Sequence, residues 1–447
     1  FKQKTAYEML RSLVGSEMCI RDRDNSVSPY PARVKKCDGN DWYNVGNSPS
    51  VGWVEYNSIF VYNGTPYVAF VDTGMGRQGF VKKFNGTSWV TLGKTSSPIA
   101  SKGSAAYNTL QFYNGTPYMC FTESRRIENE GSANYIVLRA FNGTSWVQVG
   151  GEVDNLNATV PALFFSGGTP YVSFMKDSTR GSKADMKKWD GTSWVYVGDG
   201  TGISAGQGYD PALYVDGTTP YLACRDYGVA TQKAVVRKYN GSTWVVVGDP
   251  GSPGISAGYG YYPSLYVYGG TPYVAFRDSG VSNKCIVKKY DGSTWTAVGS
   301  PSGISAGAVG LGYHLIQLFF INDTPYVAFK DGGVSDKLIM KKFNGTAWEQ
   351  VNGPVSPGAV YEFNLTVFNG TPFVAINYDD GGTSKYIVRA FDGTTWITVG
   401  DGTENCQFDE SGGKDMSVAV DNGTPYVGFS LSDLNNAAVL KEYVPNQ

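Results

Sequence analysis

Two short strings alternate along almost the whole chain and constrain its fold more than any other feature. The string Thr-Pro-Tyr, or Thr-Pro-Phe once, occurs eight times, with its prolines 47 to 53 residues apart. The string [Asp/Asn]-Gly-x-x-Trp also occurs eight times, ending at Trp42, Trp89, Trp146, Trp194, Trp244, Trp295, Trp348 and Trp396. One tryptophan string separates each pair of successive Thr-Pro-Tyr strings, so the chain is an array of similar units.

Each unit reads as four short β-strands, which we label a to d in chain order. In the copy at residues 264–299, SLYVY and PYVAF are separated by Gly-Gly-Thr, and CIVKKY and TWTAV by Asp-Gly-Ser. Such residues between β-branched and aromatic runs indicate tight hairpins, because they tolerate positive φ. Four strands per unit, repeated along the chain, predict a β-propeller.

The two ends of the repeat region complement each other. Residues 58–400 contain seven complete units, the C-terminal stretch supplies strands a, b and c, and the N-terminal stretch supplies a strand c and a tryptophan strand. We therefore predict an all-β, eight-bladed β-propeller of four-stranded antiparallel blades over residues 31–447, with its seam closed between the N- and C-terminal strands. Residues 34–37 and 439–443 compete for one strand c, and the sequence leaves that choice open.

Residues 1–30 do not fit the repeat. Their SLVGSEMCIRDR segment resembles a translated leader that recurs ahead of unrelated environmental sequences. We expect an artefactual or disordered leader here, so the lack of a secretion signal within it has no weight.

Composition argues against several classes of function. Lys+Arg 37 against Asp+Glu 39 gives no basic footprint for nucleic acid, and no apolar run is long enough for a membrane span. The single histidine, His314, excludes a multi-histidine metal site. The six cysteines lack metal-ligand spacing, and we expect them to be small core residues. We expect no cofactor, no metal and a monomer.

Three repeated side chains each have a structural and a functional interpretation. The tryptophans are interpreted as anchors against a neighbouring blade in preference to carbohydrate-stacking platforms, because every unit has one. Strand c carries a Lys or Arg at one fixed place, and strand b ends in an acid in five copies. We favour a base–acid pair within or between blades over ligand binding by these acids. The acids are Asp72, Glu123, Asp226, Asp278 and Asp331.

The b–c and d–a connections lie at one end of every blade, and they vary along the chain. Variable loops on a fixed scaffold are where repeat proteins place recognition. The candidate ligand-binding residues are Tyr107, Tyr209, Tyr262, His314, Arg225, Asp226, Arg277 and Asp278. Packing of the d–a loops explains the tyrosines equally well, and Arg277 is expected to be exposed to solvent.

The repeat unit resembles that of secreted repeat β-propellers, whose consensus reads approximately GTPYVAFxDxxxxxKxxVxKYNGxxWxxVG. The resemblance covers residues 33–443 and implies the propeller fold, with lectin-like propellers such as fucose-binding ones as distant neighbours. It implies a protein of the secreted or cell-surface compartment. The Arg, Glu and Trp of such lectin sites have no residue-by-residue match here.

The sequence leaves three functions open. The favoured one is a non-catalytic, extracellular recognition module for glycans or a partner protein. A glycoside-acting enzyme of sialidase-like or lyase-like type is the alternative, although no nucleophile elbow, P-loop, dinucleotide fingerprint or HExxH string occurs. A purely structural repeat domain is the third.

Overall fold

The chain adopts an all-β fold in a computed structural model. The model describes residues 43–47, 49–50, 54–93, 103–127, 131–155, 157–176, 181–230, 232–310, 315–400, 414–421, 423–430 and 438–442. The leader expected at residues 1–30, the candidate strand at 34–37 and His314 lie outside the described residues.

Seven four-stranded antiparallel sheets are each built from consecutive strands, and we number them blades 1 to 7 in chain order. The first three are blade 1 (β2 Val54–Tyr62, β3 Thr65–Asp72, β4 Gln78–Phe84, β5 Trp89–Thr91), blade 2 (β6 Ser104–Tyr113, β7 Thr116–Ile127, β8 Gly131–Phe141, β9 Trp146–Gln148) and blade 3 (β10 Thr159–Ser166, β11 Thr169–Met175, β12 Ala184–Trp189, β13 Trp194–Tyr196). The next two are blade 4 (β14 Gly208–Asp216, β15 Thr219–Asp226, β16 Ala234–Tyr239, β17 Trp244–Val246) and blade 5 (β18 Gly260–Tyr268, β19 Thr271–Asp278, β20 Lys284–Tyr290, β21 Trp295–Ala297). The last two are blade 6 (β22 Ile316–Ile321, β23 Thr324–Asp331, β24 Lys337–Phe343, β25 Trp348–Gln350) and blade 7 (β26 Val360–Phe368, β27 Thr371–Asp380, β28 Thr383–Phe391, β29 Trp396–Thr398).

A further four-stranded sheet joins the two ends of the described chain in the order β1–β32–β31–β30. Its strands are β1 (Tyr43–Asn44), β30 (Lys414–Asp421), β31 (Thr424–Ser430) and β32 (Ala438–Glu442), and Tyr43 pairs with Glu442. Backbone pairing alone connects β1 to β32, since no c–d turn links strands that are so far apart in sequence. Blades with four consecutive strands and both turns therefore number seven. The prediction of an eight-bladed propeller is corrected to a seven-bladed β-propeller, with this composite sheet counted apart.

The predicted hairpins are confirmed within the blades. In blade 5, Tyr268 pairs with Thr271 across Gly269 and Gly270, whose φ values are 55° and 77°. Two successive positive φ values give the turn whose twist matches that of the flanking strands. Strands c and d are joined by the Asp-Gly turn, in which the Asp291 carboxylate accepts the backbone N–H groups of Ser293 and Thr294 at 2.9 and 2.7 Å.

The chain divides into two compact units. Unit 1 contains blades 1, 2 and 7 and the composite sheet, apart from Ala133–Val137 of β8; unit 2 contains that segment and blades 3 to 6. Within unit 2, the hydrophobic core lies between successive sheets. Tyr221 and Val236 of blade 4, for example, pack in one cluster with Leu265 and Phe276 of blade 5. Because blades 4 and 5 each pack between two neighbours of this unit, their strand b is buried on both faces and reads as a largely apolar run.

Within each unit, the repeated tryptophan connects a blade to the sheet before it. In unit 2, the Trp295 indole Nε1 donates to the backbone carbonyl of Val247 at 2.6 Å, and Trp348 donates to Val298 at 2.7 Å. In unit 1, Trp146 donates to Leu92 at 2.7 Å. The acceptor is always the residue three places after the preceding blade's tryptophan. The predicted anchoring of tryptophan against a neighbouring blade is therefore confirmed at these positions.

The residue that follows the acceptor has positive φ and lies against the indole. Gly248 has a φ of 113°, and a Cβ atom there would lie 3.1 Å from the Trp295 ring. Asn352 takes this place in blade 6 with a φ of 42°, which confirms that the position requires positive φ.

Removal of one indole tests this contact. We expect Trp295→Ala to lower the free energy of unfolding by about 2–4 kcal/mol, since a half-buried ring and one hydrogen bond are lost. Trp295→Phe retains most of the packing and should lose about 1 kcal/mol. Denaturant melts of both variants measure these values, and an unchanged midpoint for Trp295→Ala would contradict the anchoring role.

The Asp-Gly turn generates a second prediction. Hydrogen bonds from the backbone N–H of Thr294 and Ser293 lower the pKa of Asp291 to about 2. An unfolded aspartate titrates near pKa ~3.9, so the stabilisation is complete above about pH 4 and is lost as the pH falls towards about 2. Asp291→Asn should remove this pH dependence with little change at neutral pH, because Asn85 and Asn142 accept the same bonds in their turns.

Unfolding midpoints of the parent, Asp291→Asn and Asp291→Ala at neutral pH and near pH 2 provide the measurement. Asp291→Ala lacks the acceptor and should be the least stable of the three at neutral pH. An asparagine variant that is as unstable as the alanine variant there would contradict this account of the turn.

Candidate functional site

The d–a loops that enter blades 4, 5 and 6 share one backbone arrangement, which the Gly-Ile-Ser-Ala-Gly string builds. The serine is buried, and its Oγ accepts a backbone N–H from strand c of the preceding blade. Ser256, for example, accepts from Ala234 at 3.0 Å and donates to the carbonyl of Gly258 at 2.7 Å. The isoleucine before it enters the core between blades, as Ile255 does. Ser-Ala-Gly is therefore loop scaffold.

The acid that ends strand b holds the same loop from the other side. The Asp278 carboxylate is 1% exposed and accepts the backbone N–H groups of Ala257, Gly258 and Gly280 at 2.7, 2.8 and 2.9 Å. Equivalent sets surround Asp226 and Asp331. Three N–H donors satisfy most of what a buried carboxylate requires, so these acids stabilise the loops.

The predicted base–acid pairing between strands b and c is present in blade 4, where Arg237 lies 3.1 Å from Asp226. In blade 5 the equivalent residues, Lys288 and Asp278, interact electrostatically. Burial lowers the pKa of Lys288, and the negative charge of Asp278 opposes that shift. Lys341 and Asp331 behave in the same way in blade 6.

A β-bulge near the start of strand a directs side chains at this end of the blades. The register with strand b shifts after Tyr209 in blade 4 and after Tyr261 in blade 5. The first residue of each bulge has positive φ without being glycine, 54° for Asp210 and 51° for Tyr262. The equivalent residues of blades 1, 2 and 3 are Tyr56, Tyr107 and Val160, with φ values of 52°, 50° and 53°, so this backbone belongs to the repeated scaffold.

The bulges of blades 4 and 5 bring tyrosines and arginines into one cluster. The guanidinium carbon of Arg225 lies 5.2 Å from the centre of the Tyr209 ring, 5.2 Å from that of Tyr227 and 4.7 Å from that of Tyr261. The Asp210 carboxylate is 3.9 Å from its Nε. These separations are within the range of cation–π attraction.

Arg277 extends the cluster along blade 5. Its guanidinium lies 4.9 Å from the Tyr261 ring, and its Nε donates to the carbonyl of Val309 at 3.0 Å. The residue is half-buried and bonded to the loop entering blade 6, so the expectation of a solvent-exposed Arg277 is corrected. We call Tyr209, Arg225, Tyr227, Tyr259, Tyr261 and Arg277 the Tyr–Arg cluster.

The rim of the Tyr–Arg cluster is accessible. Tyr227 is 39% exposed and Tyr259 is 41% exposed, in a chain where most large hydrophobic side chains are covered. The ring centres of Tyr227 and Tyr209 are 4.8 Å apart, and those of Tyr259 and Tyr261 are 6.0 Å apart. Each exposed ring is therefore supported by an inner ring, which holds it at low entropic cost.

The sequence candidates divide into three groups in the structure. Tyr209, Arg225 and Arg277 meet in the cluster, and Tyr262 adjoins it, 6.0 Å from Tyr261 between ring centres. Asp226 and Asp278 lie buried behind it as loop supports. Tyr107 belongs to unit 1, where its ring is 4.7 Å from that of Tyr56 and, after burial, contributes to raising the pKa of Tyr56 to about 12.

Three members of the cluster were missed by the sequence reasoning: Tyr227, Tyr259 and Tyr261. Tyr227 directly follows the acid of strand b, and Tyr259 and Tyr261 lie in the GYGYYP string next to the chosen Tyr262. A comparison between units would have found Tyr227 and Tyr259, because the equivalent places hold other residue types, whereas the place of Tyr261 also holds a tyrosine in blades 4 and 7.

Two absences hold within the described part of the chain. No group of three or more His, Cys, Asp or Glu side chains there is placed to hold a metal ion. No described helix has the length and apolar character of a membrane-spanning segment.

Cys120, Cys224 and Cys285 are buried and free, which confirms these three as core residues, and burial raises the pKa of each thiol.

The sequence matches no protein-family model and no curated protein. Several solved structures share the fold. The polysaccharide lyase Uly1 has a TM-score of 0.47 at 11% identity, over 80% of this chain and 93% of the lyase. Aleuria aurantia lectin in complex with α-methyl-L-fucoside has a TM-score of 0.36 at 13% identity, over 70% of this chain and 99% of the lectin. Trypanosoma rangeli sialidase has a TM-score of 0.39 at 11% identity, over 79% of this chain and 57% of the sialidase.

Lectin and glycan-enzyme propellers are therefore among the structural neighbours of this chain, all at TM-scores below 0.5, and no family is assigned. The roles of individual site residues are decided by the chain's own chemistry.

The loop-support role of Asp278 can be tested. We expect Asp278→Ala to destabilise the protein by about 3 kcal/mol or more, because three N–H donors at a nearly buried site lose their charged acceptor. Denaturant unfolding measures the loss. A variant as stable as the parent, with altered ligand binding instead, would favour the ligand-binding interpretation of the acid.

Proposed function

We propose that this protein is a non-catalytic recognition module that binds a glycan through the Tyr–Arg cluster of blades 4 and 5. The observation that supports the proposal is the restriction of the cluster to these two blades. At the place of Tyr209 and Tyr261, blades 1, 2, 3 and 6 have Glu55, Ala106, Thr159 and Gly310, and blade 7 has Tyr361. At the place of Arg225 and Arg277, blades 1, 2, 3 and 6 have Val71, Thr122, Met175 and Lys330, and blade 7 has Asn377, so only blades 4 and 5 among these combine the tyrosine with an arginine.

The comparison between blades separates scaffold from function. Residues that the fold requires recur in every unit, as the tryptophans do. The Tyr–Arg pairs do not recur, although blades 1, 2 and 3 have the same bulge. The fold therefore does not demand these side chains, and a role in recognition explains why two adjacent blades carry them.

The chemistry of the cluster suits a sugar. Exposed tyrosine rings offer flat apolar surfaces with a polar edge, and ligand sites combine such surfaces with a few well-placed polar groups. Arginine supplies N–H donors in a fixed fork for hydroxyl or acidic oxygens. The inner rings and Asp210 hold Arg225 in place before a ligand arrives, which reduces the cost of binding.

A partner protein is the second candidate, because tyrosine and arginine also dominate protein–protein hot spots. The secreted or cell-surface location and the monomeric state stay predictions from the sequence.

A glycan array probed with the full chain tests the proposal. We expect binding to a limited set of oligosaccharides without cleavage, and at least a tenfold loss of affinity in the Tyr227→Ala/Tyr259→Ala double variant, since two stacking surfaces are removed. Tyr361→Ala is the matched control, because Tyr361 is a 53% exposed tyrosine in unit 1.

Three outcomes would contradict the proposal. Glycan binding that the double variant retains would place the site elsewhere. Release of shortened products from an array hit would favour the enzyme alternative. An absence of glycan binding would favour a partner protein or a structural role.

A further inference from the structure

Resting on the proposed function, we infer that the glycan is acidic and that Arg277 binds its carboxylate or sulfate group. The inference rests on the pairing state of this one guanidinium. Arg77, Arg125 and Arg237 form ion pairs with Glu55, Glu123 and Asp226. Within the described residues, no carboxylate lies within ion-pair distance of Arg277.

Asp210 and the acids that end strand b in blades 4 to 6 are already engaged, and Asp331, whose backbone pairs with that of Val309, accepts three backbone N–H groups. Asp278, the residue after Arg277, accepts three backbone N–H groups. Asp210 faces Arg225, and Asp226 accepts three backbone N–H groups and pairs with Arg237. The Tyr–Arg cluster therefore holds two guanidinium groups against one carboxylate that faces them.

The outer part of this end of blades 4 and 5 is close to neutral. Lys233 and Lys284 lie next to the ends of strand b, and Asp199 and Asp249 in the d–a loops accept backbone N–H groups of Thr201 and Gly251. These charges balance, so the excess positive charge lies at the Tyr–Arg cluster itself.

The surroundings of Arg277 prepare it for an anion. Its Nε is committed to the Val309 carbonyl, which leaves the two terminal nitrogens as donors on one edge. The Tyr261 ring lies within 5 Å of both Arg225 and Arg277, at 4.7 and 4.9 Å, and limits their movement. A guanidinium fixed in this way matches the two oxygens of a carboxylate or sulfate.

A neutral sugar is expected to bind less tightly at the same site. Covering Arg277 with a neutral ligand would remove water from a charged group without supplying a counter-charge, and such desolvation is costly. An acidic group supplies that charge and forms charge-assisted hydrogen bonds. The site therefore discriminates in favour of acidic glycans.

The experiment compares matched pairs of oligosaccharides by isothermal titration of the full chain. One pair is a uronate-containing oligosaccharide and its carboxyl-reduced form, and the other is a sulfated oligosaccharide and its desulfated form. We expect the acidic member of one pair to bind at least tenfold more tightly than its neutral partner, and which pair shows this identifies the acid.

Substitutions assign the effect to Arg277. Arg277→Gln should remove the preference for the acidic member, and Arg277→Lys should retain part of it, because charge is kept while the paired donors are lost. Lys330→Gln is the control, since Lys330 holds the same place on strand b of blade 6. Thermal melts verify that each variant is folded.

The experiment distinguishes failure of the acidic-glycan inference from failure of the proposed glycan recognition. Equal affinity for acidic and neutral members, or a preference that Arg277→Gln leaves intact, overturns the inference while glycan recognition stands. A lack of binding by every oligosaccharide overturns the proposed function and this inference together.

Discussion

A hydrogen bond from the repeated tryptophan to a backbone carbonyl of the preceding sheet, present at Trp89, Trp146, Trp244, Trp295 and Trp348, is the interaction on which the rest of the structure depends. It links one sheet to the next at a constant place, as Trp244 does with Val197 and Trp295 with Val247. The indole covers the seam between blades, and the glycine after the acceptor gives it room. Since this contact repeats, the loops at the end of the sheets begin and finish at fixed points and can vary without loss of the fold.

The site follows from that arrangement in two steps. The buried serine of the d–a loop accepts a backbone N–H from strand c of the preceding blade, and the aspartate of the following blade accepts N–H groups of the loop, so a loop without regular structure has a determined path. The bulge at the start of strand a then turns Tyr209 and Tyr261 towards arginines on strand b. The result is a rigid aromatic surface with ordered cations, in which little conformational entropy is left to lose on binding.

Much of the fold could be predicted from the sequence because the structural unit repeats. The four-strand unit, the hairpin turns and the anchoring tryptophans each leave the same residue types at the same spacing. The predicted number of blades was wrong because it combined the N- and C-terminal strands into an eighth blade, whereas β1 and β32 meet only by backbone pairing. Arg277 was misjudged since sequence reveals nothing of the Val309 carbonyl beside it. The meeting of Tyr227 and Tyr261 at Arg225 is a contact between blades 4 and 5, which the sequence of a single unit does not show.

A crystal structure of the full chain with a bound oligosaccharide tests the central claim most directly, because it locates the ligand without reference to any variant. The account predicts a sugar ring against Tyr227 or Tyr259, with an acidic group within hydrogen-bond distance of the terminal nitrogens of Arg277. A ligand bound at the opposite end of the blades, against the tryptophans that follow the Asn-Gly and Asp-Gly turns, would contradict it, since those indoles are assigned here to the scaffold.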